Sequence, residues 1–358
     1  MSHRSHATRA TINDVARAAD VSRQTVSNAL NKPHLVRPAT LERVRAEIDR
    51  LGYLPSQAAQ GMRSQRAGAI GIELNAVHRG ASDVAQPFLT DLTVAAPRHD
   101  VHLVPFAHGT RFPAVDGYRD MVRRRLVDAF VLSDTHLGDP RPEWLLEAGI
   151  PFAAFGRIYD HPELGWWADV DGAAGTAQAV DHLHDRGYRT AAYLGWPPHK
   201  DDSEVADARR EGWLTRAGEL GTAGPELACE QDLADATLAA RTLLDQLEPG
   251  DAVVCASDLI ALGVMYAAAA RGWRIGPDLG VVGFDGSLTA SRHGLTSLLQ
   301  PLPDIADALL GLLTDQLAGG ADDPGGRLLT PTLTTGPSTD RTTAATAYTP
   351  LPAPGKRR

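Results

Sequence analysis

Apolar residues in the first sixth of the chain recur every three or four positions in three short segments, and this spacing predicts three helices. The apolar positions are Ile12, Val15, Ala16 and Ala19, then Val26, Ala29 and Leu30, then Leu41, Val44, Ile48 and Leu51. Thr11 and Ser22 precede the first two segments and suit the N-cap position, where a side-chain oxygen accepts a backbone N–H. Pro38 and Gly52 suit the first position and the C-terminal cap of the third helix.

The link between the first two predicted helices is short. It contains Asp20, and aspartate is one of the few residues besides glycine that adopt a left-handed conformation. Val21 follows and is expected to fill the angle between the helices. The pattern therefore predicts a helix-turn-helix.

Polar residues of the second predicted helix lie mostly away from its apolar face. They are Arg23, Gln24, Thr25, Ser27 and Asn28. In the major groove, arginine can donate two hydrogen bonds to guanine, and glutamine or asparagine can pair with the N6–H and N7 edge of adenine. We therefore expect this helix to read DNA bases.

From Ala69 onward, short apolar runs alternate with helical stretches. The runs are AIGIEL, VHLVPF, DAFVLSD, PFAAFG, TAAYLG, DAVVCASD and GVVGFD. The predicted helices cover about 88–97, 115–125, 142–148, 173–186, 204–220, 235–247, 258–271 and 303–318. Apolar strands that alternate with helices predict parallel sheets. The number of elements predicts two Rossmann-like lobes, with a ligand between them at the carboxyl ends of the strands.

Charge is divided unevenly between these two parts. The whole chain has a net charge of −9. Residues 1–66 contain eleven Lys and Arg against five Asp and Glu, a net charge of +6, which leaves −15 for the remainder. A small basic segment attached to an acidic body is typical of a DNA-binding head on a separate domain.

Motifs of enzymes and metal sites are missing from the sequence. It contains no GxGxxG, Walker phosphate loop, GxSxG elbow or HExxH pattern, and Cys229 and Cys255 lack the spacing of metal ligands. We therefore expect no catalytic residues, no metal and no cofactor. No apolar stretch suits a signal peptide or a membrane-spanning helix, so the expected location is the cytoplasm, without a membrane partner.

The segments TINDVARAADVSRQTVSNALN and RVRAEIDRLGYLPSQAAQGM closely resemble the head of the lactose/galactose-repressor (LacI/GalR) family of bacterial transcription regulators. The resemblance implies that Tyr53 leads into a hinge that becomes helical on operator DNA and pairs with the hinge of a second subunit. Met62 occupies the position of the family's leucine, which wedges into the minor groove, and Ala59 is small enough to enter a narrow groove.

Two residues of the head depart from the family pattern. Asn28 occupies a position that is often Arg, and Arg37 occupies one where a helix-capping Ser is common. We therefore expect an operator preference particular to this chain. The predicted DNA contacts are Thr11, Ser22, Arg23, Gln24, Thr25, Ser27, Asn28, Tyr53, Ala59 and Met62.

The resemblance continues to about Thr339 through DVDGAAGTAQAVDHLHDRGYRTAAYLG, REGW, SDLIALGV and GPDLGVVGFDGS. It implies an α/β body like that of periplasmic binding proteins, with an effector in the cleft between two lobes. The predicted effector contacts are Phe88, Asp91, Arg157, Trp167, Arg209, Ser257, Asp258 and Asp285. Carboxylates and guanidinium groups pair with vicinal hydroxyls and aromatic faces stack on a pyranose, which favours a mono- or oligosaccharide.

These features predict a homodimeric regulator, a repressor of a near-palindromic double-stranded DNA operator, that responds to a small-molecule effector. The expected parts are a helix-turn-helix head (1–55), a hinge helix (56–66), an effector-binding and dimerisation body (67–340) and a disordered tail (341–358). Two alternatives remain open. One is the same architecture sensing a purine, another metabolite or a protein corepressor. The other is a solute-binding or enzymatic body that carries a non-functional head.

Overall fold

The computed structural model describes residues 10–53, 66–74, 84–107, 115–198, 204–320 and 325–342. The chain divides into two compact units, Met1–Ala67 and Gly68–Arg358. We call the first unit the head and the second the body.

The head is built from three short α-helices around a small core. They are α1 (Ile12–Ala18), α2 (Arg23–Asn31) and α3 (Pro38–Leu51), with a 3₁₀ turn at Pro33–Leu35. Asp20 has a φ of 49°, which confirms the left-handed turn expected between α1 and α2. α3 ends at Gly52, whose φ of 59° provides the expected C-terminal cap. Val15, Ala19, Val26 and Val44 are fully buried in the core.

The first lobe of the body is a parallel sheet with helices on both faces. Its elements are β1 (Ala69–Glu73), α4 (Ala85–Ala95), β2 (His102–Phe106), α5 (Asp116–Arg123), β3 (Ala129–Leu132), α6 (Pro140–Ala148), β4 (Phe152–Phe155) and β5 (Trp167–Val170). Ala69 and Ile70 belong to different buried clusters, because successive side chains of a strand point to opposite faces. The strand β1 is therefore covered on both sides.

The second lobe repeats this plan. Its elements are α7 (Gly172–Asp185), β6 (Ala191–Gly195), α8 (Val205–Leu220), β7 (Ala223–Ala228), α9 (Leu233–Leu244), β8 (Asp251–Cys255), α10 (Asp258–Ala270), β9 (Leu279–Asp285), α11 (Leu288–Arg292) and β10 (Thr296–Leu299). Every residue of the central strand β8 is buried, as the continuous apolar run predicts.

The chain then returns to the first lobe. α12 (Leu302–Leu317) packs on α4, β3, β4 and β5, and β11 (Arg327–Leu329) pairs with β5. The last strand, β12 (Thr332–Thr334), pairs antiparallel with β10 of the second lobe. The strand orders are β11-β5-β4-β3-β1-β2 and β12-β10-β9-β8-β6-β7. The predicted fold, a helical head followed by a two-lobe α/β body, is confirmed.

The strand orders place a topological switch point in each lobe. The order reverses between β1 and β3 in the first sheet and between β6 and β8 in the second. Ligands of open α/β sheets bind beyond the carboxyl ends of the strands at such points. A binding site is therefore expected among the side chains that follow β6 and β8.

The last described residues of the chain contact the second lobe. The predicted disordered tail begins at Arg341, but this residue donates a hydrogen bond to the carbonyl of Gly187 and lies over the ring of Tyr188. These contacts fix Arg341 on the second lobe, and the tail from residue 343 lies outside the described residues. Among the described helices, none combines the length and the apolar character needed to cross a membrane.

Candidate functional site

Capping side chains set the start of both helices of the helix-turn-helix. The Thr11 side chain accepts the N–H of Asp14, and the Asp14 carboxylate accepts the N–H of Thr11 at 2.9 Å. The Ser22 hydroxyl accepts the N–H of Thr25 at 3.0 Å. Thr11 and Ser22 therefore position the helices, as their N-cap places require.

The outer surface of α2 presents polar groups side by side. Arg23 and Gln24 are exposed, and Thr25 and Asn28 are half-buried. The Gln24 Nε2 donates to the Asn28 Oδ1 at 3.1 Å, because residues four apart share one helix face. These four residues form the face that the sequence predicts to read bases, and their contact with DNA stays a prediction.

Ser27 corrects that expectation. It is only 5% exposed, so it does not belong to the outer face of α2. Ser27 lies about 100° around the helix from the buried Val26, at the border of the apolar stripe, and its small side chain fits there. We therefore remove Ser27 from the predicted base contacts.

Tyr53 packs on the head core and is half-buried, and its N–H donates to the carbonyl of Ile48 at 3.0 Å. It therefore orders the chain just after α3. Ala59, Met62 and most of the predicted hinge lie outside the described residues.

A polar cluster in the second lobe consists of Trp196, Arg209, Gln231, Ser257, Asp258 and Asp285. Arg209 lies at its centre. It is 6% exposed, its guanidinium carbon lies 3.6 Å from the ring centroid of Phe284 and 5.1 Å from that of Trp196, and its Nη1 donates to the carbonyl of Ala256. Its Nε is buried and has no hydrogen-bond partner among the described residues. A buried donor without a partner is costly, which suggests that a ligand atom completes this arrangement.

Asp285 is the carboxylate nearest to Arg209. Its Oδ1 lies 3.8 Å from the Arg209 Nη1 and accepts a hydrogen bond from the Gln300 Nε2 at 2.8 Å. Burial raises the pKa of Asp285 to about 7, while Arg209 acts to lower it. Asp285 also has a φ of 132°, a conformation that residues with a side chain rarely adopt. Strain of this kind concentrates at binding sites.

Asp258 and Ser257 are buried beside Asp285. Asp258 is fully buried, accepting the Ser297 hydroxyl at 2.5 Å and the Ser287 N–H at 2.6 Å. The Ser257 hydroxyl caps α10 and donates to the Gln231 Oε1 at 2.9 Å. These bonds position the cluster, and Asp258 supports Asp285 through its own N–H. The predicted contact of both residues with an effector stays a prediction.

Trp196 and Gln231 join the cluster although the sequence reasoning missed them. Trp196 follows β6 directly, and its Nε1 donates to the Gln231 Oε1 at 2.8 Å. The same oxygen accepts the Ser257 hydroxyl, so Gln231 fixes both groups. The only sequence signal was the position of Trp196 at the end of a predicted strand.

The first lobe supplies a second group of side chains. Arg157 follows β4, its guanidinium carbon lies 5.5 Å from the Trp167 ring centroid, and its Nη1 pairs with the Glu204 Oε2 at 3.2 Å. Burial raises the pKa of Asp169 to about 6, against the opposing effects of the Val170 N–H, Arg209 and Arg157. Asp169 is therefore within electrostatic reach of arginines from both lobes.

The remaining two predicted residues differ in exposure. Phe88 is 2% exposed and packs on Phe155 with ring centroids 4.5 Å apart. This burial favours a core role, and we revise the prediction of a direct effector contact. Asp91, one turn further along α4, is half-buried, and burial raises its pKa.

Comparisons with known proteins agree with this architecture. Residues 11–56 match the family model described as bacterial regulatory proteins of the lacI family, and residues 180–339 match a periplasmic binding protein-like domain. The HTH-type transcriptional regulator CelR of Thermobifida fusca is 31% identical over 331 residues, covering 88% of this chain and 94% of that protein.

Two solved structures are similar along almost the whole chain. A complex of the transcriptional regulator CelR with cellobiose has a TM-score of 0.66 at 27% identity and covers 92% of this chain and all of that one. A lac repressor dimer bound to operator and an anti-inducer has a TM-score of 0.71 at 23% identity, covers 93% of this chain and all of that one, and shows the shared fold. The family consists of regulators and not of enzymes. The chain belongs to the LacI family of bacterial regulatory proteins, and it is a helix-turn-helix transcriptional regulator that binds DNA.

Proposed function

We propose that this regulator is a repressor whose operator affinity is controlled by a small carbohydrate bound between the two lobes. One observation carries the effector class. A buried guanidinium lies over two aromatic rings, next to a carboxylate, and one of its donors lacks a partner among the described residues. The regulator is proposed to act in the cytoplasm, where operator DNA is found.

The chemistry of this cluster suits vicinal hydroxyl groups. A hydroxyl can donate to the Asp285 carboxylate while its neighbour accepts from Arg209, and an aromatic ring such as that of Trp196 can cover the apolar face of a sugar ring. The similar CelR structure contains cellobiose. We propose Arg209, Asp285 and Trp196 as direct contacts, with Arg157, Trp167 and Asp91 facing them from the first lobe.

Contacts between the lobes connect this cluster to lobe arrangement. Arg157 of the first lobe pairs with Glu204, and the Glu204 N–H donates to the Tyr159 hydroxyl at 3.0 Å. Glu204 is the N-cap residue of α8, the helix that carries Arg209. An effector that contacts both lobes stabilises one arrangement of the lobes. Operator affinity then changes only to the extent that the effector binds one arrangement more tightly than the other.

The head is proposed to read one half of a near-palindromic operator through Arg23, Gln24, Thr25 and Asn28. Tyr53 then leads into a hinge at 56–66, where Ala59 and Met62 are proposed to contact the minor groove. We propose residues 1–55 as the DNA-binding part and 67–340 as the part that binds the effector and a second subunit.

A homodimer is the proposed assembly, because an apolar surface of the first lobe suits a second copy of the chain. A groove of about 460 Å³ is lined by Leu89, Thr93, Ala96, Pro97, Val101, His102, Leu103 and Pro105. Val94, on the same helix as Leu89, is 63% exposed. β2 is an edge strand that pairs only with β1 in the described part of the sheet. The lac repressor with the same fold is a dimer on its operator.

Binding of the purified protein to DNA from its own promoter region tests the repressor proposal. Fluorescence anisotropy should show sequence-specific binding that weakens steeply with salt, because phosphate contacts release counterions. Transcription in vitro from that promoter should fall when the protein is added. Equal affinity for promoter DNA and for a scrambled duplex would contradict the proposal.

Calorimetry against a panel of mono- and disaccharides, including cellobiose, and of purines tests the effector class. The variant Arg209→Gln should abolish binding of the sugar that the wild type selects. Arg210→Gln is the matched control, because Arg210 is the next residue of α8 and pairs outside the cluster with Glu226. If the protein binds a purine and no sugar, the effector is a purine. If Arg209→Gln binds the sugar as tightly as the wild type, Arg209 is not part of the effector site.

A further inference from the structure

The hydrogen bond between Gln24 and Asn28 restricts what this face of α2 can recognise. Both side chains lie outside the head core, which is formed around Val15, Val26 and Val44. The bond therefore contributes little to folding. It does fix the orientation of two amides on the surface that is proposed to contact the operator.

The donors and acceptors that this hydrogen bond leaves free determine which base edges the two amides can contact. An amide side chain has one carbonyl oxygen and two N–H donors. With the Gln24 Nε2 donating to the Asn28 Oδ1 at 3.1 Å, Gln24 keeps its oxygen and one N–H. That pair complements the N6–H donor and N7 acceptor of adenine. Asn28 keeps both N–H donors of its Nδ2, which complement an acceptor such as thymine O4 or guanine O6.

We propose that Asn28 holds the Gln24 amide in the orientation that reads adenine, and that Asn28 itself donates to an acceptor on an adjacent base. Each operator half-site then contains an adenine at the Gln24 position next to a thymine or guanine at the Asn28 position. This inference rests on the proposed operator binding and names the bases that the head prefers. The reverse orientation of the pair would leave two donors on Gln24 and would select guanine there.

Selection of binding sites from a randomised duplex library, using the full-length protein, tests this arrangement. The wild type should select adenine over the other bases at one position of each half-site by roughly ten- to hundredfold, the range of a good bidentate contact. Asn28→Ala should reduce this preference about tenfold, because the Gln24 amide can then rotate. Gln24→Ala should remove it.

Asn28→Asp separates orientation from direct contact. Aspartate still accepts from the Gln24 Nε2, so the adenine preference should remain. Its carboxylate cannot donate, so the adjacent position should change to a base with an amino donor, cytosine or adenine. Arg50→Ala is the control, because Arg50 lies on α3 and pairs with Glu47, and it should leave every base preference unchanged.

The outcomes distinguish this inference from the proposed function. If the wild type selects a defined operator but prefers guanine at the Gln24 position, or if Asn28→Ala keeps the adenine preference within about twofold, the pair does not act as proposed, since a good bidentate contact gives more. If the wild type selects no sequence at all, operator recognition itself fails. Unchanged thermal unfolding of the variants establishes that each effect arises at the DNA surface.

Discussion

Asp285 combines three features that an ordinary surface carboxylate lacks. Its side chain is only 9% exposed, it ends β9 with a φ of 132°, and it contacts Gln300, Arg209 and the N–H of Asp258. Gly286 follows with a φ of 69°, so the chain turns sharply at this point. The geometry fixes this carboxylate of the proposed effector site, which would lower the ordering cost of effector binding.

The raised pKa of Asp285 predicts a pH-dependent stability. The folded protein favours its neutral form, so the stabilisation is complete below the ordinary pKa of 3.8 and is lost as pH rises through about 7. The free energy of unfolding of the wild type, relative to Asp285→Asn, should therefore fall between pH 4 and pH 8 in urea titrations. Parallel pH curves for the two proteins would refute this.

A surface carboxylate provides the control of opposite sign. Asp278 accepts hydrogen bonds from Arg274, which holds its pKa below the ordinary value. Its stabilisation is present at neutral pH and is lost in acid. Asp278→Asn should therefore lower the free energy of unfolding by a constant amount between pH 5 and pH 8, and this difference from the wild type should disappear as the pH falls below the ordinary pKa of 3.8.

At the residue scale, the resemblance to family segments identified Arg209 and Asp285 as candidate effector contacts, but not their neighbours Trp196 and Gln231. Arg209 and Asp285 stand in segments that resemble the family, and the structure brings them within 3.8 Å. Trp196 and Gln231 follow β6 and β7, and their contact depends on the order of strands in the sheet. Spacing along the sequence does not reveal that order. The burial of Phe88 and Ser27 likewise depends on tertiary packing, which the spacing of residues along the sequence does not reveal.

At the element scale, helices and buried strands were predicted well because both have strong patterns. The predicted stretch 173–186 is α7 (Gly172–Asp185), and 303–318 is α12 (Leu302–Leu317). The strands β5, β7 and β10 were missed. β7 is an edge strand with the sequence AGPELA, and no residue of it is buried, so it lacks a continuous apolar run. β5 (WADV) and β10 (TSLL) contain polar residues, so they also lack a continuous apolar run.

The packing of α7 against α8 predicts contrasting effects for two glycines of α8. A Cβ at Gly212 would stand 2.2 Å from the Ala173 carbonyl oxygen, whereas a Cβ at Gly218 meets no described atom within 4 Å outside its own helix backbone. Gly212→Ala should therefore destabilise the body by about 1–3 kcal/mol. Gly218→Ala should stabilise it by about 0.5–1 kcal/mol, because alanine is the better helix former.

Urea unfolding of both variants checks this contrast. The substitutions add the same methyl group to the same helix, so their difference reports the closeness of α7 alone. Equal unfolding free energies for Gly212→Ala and Gly218→Ala would show that α7 and α8 are not in close contact.

The start of α3 predicts a gain in stability. Arg37 occupies the N-cap with an extended backbone, and its side chain makes no capping hydrogen bond in the described head. Arg37→Ser should supply that bond and stabilise the head by about 1 kcal/mol. Hydrogen exchange of the α3 amides in the full-length protein measures the gain. Arg37→Ala is the control for loss of the arginine, and equal protection in both variants would exclude a capping effect.

At the scale of the whole molecule, the division of labour follows the division of charge. The basic segment 1–66 carries the helix-turn-helix, and the acidic remainder carries both sheets. The body's chain crosses between its lobes after β5, after β10 and between β11 and β12. Few backbone segments connect the lobes, so lobe movement requires changes at only a few residues.

The proposed dimer predicts that a charge on its apolar surface weakens both assembly and operator binding. An operator with two half-sites is bound tightly only when two heads are joined, since joining converts the second contact into an intramolecular one.

Val94 is 63% exposed on α4, beside the apolar groove and the edge strand β2. Val94→Glu places a charge on this surface, where a second copy would bury it without a partner. Sedimentation should then show a monomer, and affinity for the full operator should fall about a hundredfold. Affinity for a single half-site should not change, because the head is intact. Leu214→Glu, on the exposed side of α8, should leave the assembly unaltered. A Val94→Glu protein that remains dimeric would place the subunit interface elsewhere on the body.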